Sequence, residues 1–370
     1  MKPKIIKMQK NKKMKKNNDT LPPKLWKATK IALIILFISA VGLFLYFFQP
    51  DLFNFQTAEA PTPIISEERI LEENICPNCV RRNLDGIMVL PEVANLRPFA
   101  VVIDNFQLAR PQFGLAAASL VYEAPVEGGV TRYLAIFDPE SAPTEIGPVR
   151  SARTYFLNWA KELGATFVHV GGSPDALESA KKIGKNDLNE FYKGEYFWRN
   201  SKLVAPHNVL TSKDKLNTYR LDYKESGTEF KPWQFKETAT SSEEVISSIN
   251  LKYPNEYAVL WKYNKDSNLY ERYLDNKAHF DAASERITTN NLIIHVVSFK
   301  VIDEDLRLEM SNALSGQALL CQDGNCHLGK WQKDSQTTRA KYYYKNGEEF
   351  TFNAGKTWIE VIEDFNYLKY

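Results

Sequence analysis

The sequence predicts an α+β fold: a mixed α/β N-terminal domain followed by a smaller β-rich C-terminal domain, with one transmembrane helix before them. First, residues 31–48 contain no charged side chain. Second, residues 84–235 alternate short apolar runs with segments of helical periodicity. Third, residues 245–370 contain mainly strand-like runs, separated by turn signals such as Asn346-Gly347.

The elements of both domains follow from the positions of apolar residues. In the N-terminal domain, apolar runs predict strands at residues 99–103, 120–124, 130–137 and 166–170. A helix is predicted over residues 151–163, and further helices begin at Ser173 and after Thr211. In the C-terminal domain, strands are predicted at residues 257–263, 269–273, 291–297, 318–320, 341–344, 349–352 and 358–362.

The charge of the chain is polarised. Residues 1–30 contain eleven lysines and one acid, a charge of +10, whereas the rest has 36 basic and 44 acidic residues, a charge of −8. The basic residues are confined to a tail, so the folded part is not predicted to bind nucleic acid. The 18 residues of 31–48 are just long enough to cross a bilayer core of about 30 Å. The lysines before them predict a cytoplasmic tail (1–30) and an extracytoplasmic remainder, which starts with a linker (49–83).

A cleaved signal peptide is the alternative to this anchor. Ala58-Glu59-Ala60 resembles a cleavage site, but the apolar run exceeds the usual length of about 7–15 residues. The site also lies twelve residues beyond the run, and Pro61 would follow the cut. The sequence therefore predicts an uncleaved, single-pass signal anchor in the cell membrane.

The four cysteines predict two disulfides in an extracytoplasmic compartment. One would join Cys76 to Cys79, and the other would join Cys321 to Cys326 across a hairpin tip. Free thiols, a redox pair at Cys76-Pro-Asn-Cys79 and a four-cysteine zinc site remain open alternatives. The sequence has no other spacing typical of metal ligands, so neither a metal nor another cofactor is predicted.

Charged side chains within apolar or glycine-rich runs identify a candidate site. A charge in core-like sequence must be paired or must meet a ligand. Asp104 ends a predicted buried strand, and Arg150 and Arg153 stand three apart where the helix over 151–163 is predicted to begin. The candidate ligand-binding residues are Asp104, Asn105, Arg110, Glu123, Glu127, Arg132, Arg150, Arg153, His169, Ser173, His207 and Asn208.

These residues support several interpretations. Arg150 and Arg153 would share one face of the helix start and bind an anion, or they would pair with Asp104, Glu123 or Glu127. The two glutamates could instead perform acid–base chemistry on a glycosidic bond. A nucleophilic pair of Ser173 and His169 is disfavoured because no G-x-S-x-G elbow is present and Ser173 fits an N-cap.

The second domain offers two weaker candidates. Arg272, His279 and Asp281 are predicted to form a polar cluster. Trp331 and Trp358 could stack on sugars, but buried β-core positions are favoured.

Several long motifs resemble the YerB-like family of bacterial lipoproteins. They are RPFAVVIDN, ARPQFGL, VYEAPVEGGVTRYLAIF, GPVRSAR, HVGGSPDAL and PHNVLTS, then YERYLDNKAHFD, GKWQKDS and NGEEFTFNAGKTWIEVI. The resemblance spans residues 84–368 and implies an exported, membrane-attached, two-domain protein of unknown biochemical function. It supplies no catalytic residues. This chain departs from a lipoprotein pattern because no cysteine closely follows the apolar run, so a transmembrane anchor would replace the lipid.

The sequence thus predicts a bacterial cell-envelope module for ligand binding or assembly, with an Arg/carboxylate cleft in its N-terminal domain. Its partner would be an anionic cell-wall glycan or another envelope protein. The alternatives are a hydrolase or transferase acting on cell-wall glycan or its phosphate linkages, and a structural partner of another membrane protein. A deep cleft with a perturbed carboxylate would favour an enzyme, whereas a paired network would favour interaction. Binding is favoured over catalysis.

Overall fold

A computed structural model describes residues 76–238, 246, 248–253 and 258–369 of the chain. These residues belong to one compact unit. The predicted cytoplasmic tail, the predicted transmembrane helix and most of the predicted linker lie outside the described residues. Within the described residues, no helix is both long enough and apolar enough to cross a membrane.

The first part of the described chain mixes strands with helices. Its α-helices are α1 (Thr154–Glu162), α2 (Pro174–Lys181) and α3 (Lys213–Asp222). Its strands are β1 (Val80–Arg81), β2 (Met88–Val89), β3 (Phe99–Asp104), β4 (Leu120–Pro125), β5 (Thr131–Phe137), β6 (Thr166–His169), β7 (Asp187–Asn189), β8 (Trp198–Arg199), β9 (Val209–Leu210) and β10 (Phe235–Lys236).

The second part consists of strands, with a short 3-10 turn at Phe365–Tyr367. The strands are β11 (Ser248–Lys252), β12 (Ala258–Asn264), β13 (Leu269–Leu274), β14 (Lys277–Ala278), β15 (Thr288–Thr289), β16 (Asn291–Val296), β17 (Phe299–Val301), β18 (Leu308–Met310), β19 (Ser315–Gln322), β20 (Asn325–Gln332), β21 (Lys341–Tyr344), β22 (Phe352–Asn353), β23 (Thr357–Ile362) and β24 (Leu368–Lys369). The predicted two-domain fold is confirmed as an arrangement of mostly strands with few helices.

A ten-stranded sheet connects the two parts, in the order β21-β20-β19-β16-β23-β4-β5-β3-β6-β7. Strand β23, from the end of the chain, lies parallel to β4 of the first part, with Glu360 beside Glu123. Strands β16, β23, β4, β3, β6 and β7 all point the same way, because β5 is antiparallel to both β4 and β3. Their carboxyl ends therefore meet at one side of the sheet, which we call the carboxyl edge.

Both faces of this sheet are covered. On one face, Val101 belongs to a core that includes Trp261 of a second, six-stranded sheet. On the other face, Val102 belongs to a core that includes Trp159 of α1. Burial on both faces explains why the central strands are continuous apolar runs rather than alternating ones.

All four cysteines form disulfides, one between Cys76 and Cys79 and one between Cys321 and Cys326. Cys321 and Cys326 lie directly opposite each other on β19 and β20, on either side of a tight turn. The predicted hairpin tip is therefore confirmed. Among the alternatives left open, free thiols and a four-cysteine zinc site do not occur in this structure.

Candidate functional site

The segment that contains Arg150 and Arg153 is extended and crosses the carboxyl edge. Arg150 N donates to Val102 O of β3 (2.8 Å), and Val170 N, just after β6, donates to Arg150 O (3.0 Å). Helix α1 begins only at Thr154, with Arg153 as its N-cap in a β conformation. The prediction that the two arginines share a helix face is therefore wrong, because the backbone hydrogen bonds of this segment go to its neighbours in the sheet.

Arg150 is paired with Asp104, the last residue of β3. Its Nε lies 2.9 Å from Asp104 Oδ2, and His207 Nδ1 lies 2.6 Å from the same oxygen. Asp104 Oδ1 accepts a hydrogen bond from Phe106 N (3.0 Å). Asp104 is buried, while 19% of the Arg150 side chain is exposed. Among the described residues, neither Nη1 nor Nη2 of Arg150 makes a hydrogen bond, and the contact of its Nε with Asp104 is an ion pair without hydrogen-bond geometry.

Glu127 is shared by two arginines. It contacts Arg153 Nε, and its Oε2 lies 3.9 Å from Arg132 Nη2. Burial opposes the ionisation of Glu127, but the hydrogen bond and charge of Arg153 and the charge of Arg132 outweigh it, so the pKa of Glu127 is lowered. Arg153 and Arg132 also donate to backbone carbonyls, those of Ala152 (2.6 Å) and Ser151 (3.3 Å).

Arg132, Arg150 and Arg153 together form what we call the arginine cluster. Burial, followed by the charges of Arg153 and Arg150, lowers the pKa of Arg132 to about 10. The cluster holds three guanidinium groups, and the carboxylates paired with them are those of Asp104 and Glu127. It therefore has an excess of positive charge, which an anion would compensate.

Glu123 lies outside the arginine cluster, in a fully buried network. Its Oε1 accepts from Thr131 Oγ1 (2.7 Å) and Asn105 Nδ2 (3.2 Å). Its Oε2 pairs with Arg272 Nη2 (2.7 Å), and neither side chain is exposed. Arg110 Nη2 donates to the Asn105 carbonyl (3.0 Å). Glu123 and Glu127 thus have separate partners and form no joint acid–base pair, and Glu123 does not pair with Arg150 or Arg153 as one alternative expected.

Arg272 is the cation at the centre of this network. Its Nη1 lies 2.7 Å from His279 Nδ1, and its Nε lies 3.9 Å from Glu360 Oε1. Glu360 accepts from Trp261 Nε1 (2.8 Å) and Tyr253 Oη (2.7 Å). Burial, followed by the charge of Glu123, raises the pKa of Glu360 to about 8. Burial is the largest cause, and the positive charge of Arg272 the next, of a pKa of His279 well below its usual value.

The predicted polar cluster of the second domain is confirmed in part. Arg272 and His279 come together, but Asp281 instead accepts backbone hydrogen bonds from Ala283 (2.9 Å) and Glu285 (3.1 Å). Sequence reasoning missed Glu360. The signal for it was present, because this glutamate interrupts the apolar run 358–362.

The predicted nucleophilic pair of His169 and Ser173 is not supported by the hydrogen bonds of His169. His169 is fully buried, with Nδ1 2.7 Å from Gly171 O and Nε2 2.8 Å from Asp187 Oδ1. Its partners are thus in place without Ser173, which is the N-cap residue of α2. Asn208 Oδ1 accepts from Arg199 Nη1 (3.0 Å).

Trp331 and Trp358, the two tryptophans of the second domain considered as sugar-stacking candidates, are both buried. The Trp331 indole donates to Val296 O (2.9 Å), and Trp358 packs in the core beside Tyr133. They occupy the β-core positions that the sequence favours.

One cavity of about 370 Å³ adjoins the arginine cluster. It lies between the starts of α1 and α2 and the β17–β18 hairpin. Arg153 and Ser173 line it on one side, and Asp303 and Arg307 line it on the other. Positive and negative groups are therefore mixed there. Within the described ranges, no group of acidic, histidine or cysteine side chains is arranged so that it could hold a metal ion.

Comparison with known proteins gives matches at three levels. Two family models match residues 84–227 and 249–359, and they are described as the N- and C-terminal domains of a protein of unknown function, DUF3048. The chain is 35% identical over 301 residues to a Bacillus subtilis (strain 168) protein described as "Putative lipoprotein YerB", across 76% of this chain and 86% of that protein. The crystal structure of the YerB protein from Bacillus subtilis matches with a TM-score of 0.71 at 30% identity, over 78% of this chain and 99% of that one. The resemblance inferred from the motifs is confirmed.

Proposed function

Because the chain belongs to the DUF3048 family, whose function is unknown, we propose a function from the arginine cluster: the protein binds an anionic component of the cell envelope. We propose further that it does so on the outer side of the membrane, held there by residues 31–48 as a single-pass anchor. The apolar run and the preceding lysines support this location. The description of the Bacillus subtilis relative as a lipoprotein also supports membrane attachment.

The observation that carries the proposal is the state of Arg150. Its Nε faces Asp104, while Nη1 and Nη2 make no hydrogen bond among the described residues and the side chain is partly exposed. A guanidinium group can hold a carboxylate or a phosphate through two parallel hydrogen bonds. Asp104 and His207 fix the Nε side of Arg150, so its terminal nitrogens are already oriented before a ligand arrives.

The carboxylates of the site support binding rather than hydrolysis. Asp104 is paired with Arg150 and His207, and Glu127 is paired with Arg153 and Arg132. A general acid on a glycosidic bond needs a raised pKa, whereas the pKa of Glu127 is lowered. We therefore assign these carboxylates the role of positioning the arginines.

Calorimetric titration of the purified full chain in mild detergent tests this function, with inorganic phosphate and glucuronate as probes. We expect Arg150→Ala to weaken binding of both anions by about tenfold or more, since charge-assisted hydrogen bonds contribute about 1.5–3 kcal/mol. Arg150→Lys should retain part of the affinity, because it keeps the charge without the planar fork. Lys182→Ala is the matched control, since Lys182 is exposed and pairs with Glu178. Equal affinity of Arg150→Ala and the wild type would refute the proposal.

A further inference from the structure

Exposed aromatic side chains follow two of the strands that end at the carboxyl edge. Phe106 comes after β3 and is 40% exposed, whereas Phe191 and Tyr192 come after β7 and are 64% and 71% exposed. Exposed apolar surface that is contiguous and rimmed by polar residues is one mark of a ligand-binding groove. The rings of Phe106 and Phe191 are each linked to Arg150 or its neighbours in the chain through a short series of side-chain and backbone contacts.

Phe106 is connected to Arg150 through His207 and Asp104. Its ring stacks on the His207 imidazole at 5.0 Å between centroids and 12° between planes. His207 in turn contacts the Asp104 oxygen that also faces Arg150 Nε. The ring is therefore held in a defined orientation by a histidine that shares the Asp104 carboxylate with Arg150.

Phe191 is connected to Arg150 through Gly171. Asn189 Oδ1 accepts from both Gly171 N (3.0 Å) and Phe191 N (3.2 Å). A Cβ atom on Gly171 would lie 2.8 Å from the Phe191 ring, so the ring rests directly on this glycine. Gly171 O accepts from Ala152 N (3.0 Å), two residues after Arg150.

Arg199 holds the two aromatic loops together. Its Nη1 donates to Asn208 Oδ1 (3.0 Å), next to His207, and its Nη2 donates to Glu190 Oε1 (3.1 Å), next to Phe191. The two rings are thus positioned by contacts that exist without a ligand. Such preorganisation reduces the entropy that binding would cost.

We propose that the anion at Arg150 is carried by a carbohydrate, and that Phe106 and Phe191 stack on its sugar rings. This inference rests on the proposed function and specifies the ligand class of the same site. The face of an aromatic ring is electronegative, so it attracts the polarised C–H groups on the apolar face of a pyranose. Arg150 supplies the charge-assisted hydrogen bonds to a carboxylate or phosphate. An isolated phosphate would use the guanidinium group alone.

Titration of the full chain in mild detergent with four probes tests the inference. The probes are inorganic phosphate, glucose 6-phosphate, a hexasaccharide of alternating glucuronate and N-acetylglucosamine, and an oligoglutamate peptide. We expect the sugar probes to bind wild type more tightly than phosphate does. Phe106→Ala and Phe191→Ala should each weaken sugar binding by about threefold to tenfold, the range for an aromatic contact, and leave phosphate binding unchanged. Phe191→Tyr should bind as the wild type does.

The control is Leu221→Ala on α3, which truncates a side chain that is 72% exposed. If Phe106→Ala and Phe191→Ala bind both sugars as wild type does, while Arg150→Ala loses them, the inference is wrong and the proposed function stands. Tighter binding of oligoglutamate than of either sugar would also overturn it and indicate a protein partner. If wild type binds none of the four probes, the proposed function fails as well.

Discussion

The buried carboxyl of Glu360 makes stability depend on pH in a direction opposite to that of an ordinary salt-bridged acid. Its pKa is raised from 4.5 to about 8, by burial first and by the charge of Glu123 second. Between these two values the folded chain keeps a proton that the unfolded chain releases. The contribution of Glu360 to the free energy of unfolding is therefore fully present below pH 4.5, and it decreases as the pH rises toward 8.

The size of the effect follows from the two pKa values. Each pH unit inside the window changes the free energy of unfolding by about 1.36 kcal/mol. From pH 5.5 to pH 7.5, the titration of Glu360 should lower the free energy of unfolding by about 2.5 kcal/mol. The slope becomes smaller near pH 7.5, because the folded-state pKa of about 8 is close. Glu360→Gln carries no titratable proton and can still accept from the Trp261 indole. The variant should therefore lack this contribution.

The assay is urea unfolding of the purified full chain in mild detergent, followed by tryptophan fluorescence at pH 5.5, 6.5 and 7.5. Other groups titrate in the same range, so the quantity to compare is the difference between the wild type and Glu360→Gln at each pH. Glu178→Gln serves as the control, because Glu178 is exposed. If the wild type and Glu360→Gln show the same pH dependence, Glu360 is not protonated in the folded chain and the reasoning is refuted.

Two further predictions concern Arg272 and Glu127. Arg272→Met leaves Glu123 buried without its cation, so it should lower the free energy of unfolding by about 3–5 kcal/mol, and adding Glu123→Gln should recover part of this loss. An unchanged urea midpoint in Arg272→Met would contradict the role of Arg272 as the cation that compensates Glu123. Glu127→Gln removes the carboxylate shared by Arg153 and Arg132, so calorimetry should show phosphate bound about threefold more tightly, as expected for one partly exposed ion pair. Weaker phosphate binding by this variant would instead make Glu127 necessary for the orientation of Arg153.

The strands were predictable from sequence because both faces of the ten-stranded sheet are buried. The predicted strand 99–103 lies within β3, and the predicted strand 130–137 matches β5 except for its first residue, Val130. Both are mainly apolar, as is typical of strands buried on both faces. The neighbours in the sheet were not predictable. Strand β23 lies beside β4, and no local pattern in either strand identifies a partner more than two hundred residues away.

The sequence identified which charged residues belong to the candidate site, but it did not determine which of them form ion pairs with one another. Asp104 and Arg150 were recognised because charge in apolar sequence needs a partner, and they prove to be each other's partner. Glu123 has the same local pattern, yet its cation is Arg272, 149 residues further along the chain. The start of α1 was misplaced because helical periodicity takes no account of backbone hydrogen bonds to other strands, such as that of Arg150 N to Val102 O.

The place of β23 between β4 and β16 also determines how the chain can be divided. A cut between residues 238 and 246 would separate the two matched family regions, but each piece would carry strands whose hydrogen-bonding edge is completed by the other. The Glu123–Arg272 ion pair would span the two pieces in the same way. Each region thus leaves a strand edge and a buried charge that the other region completes, so neither is a self-contained module.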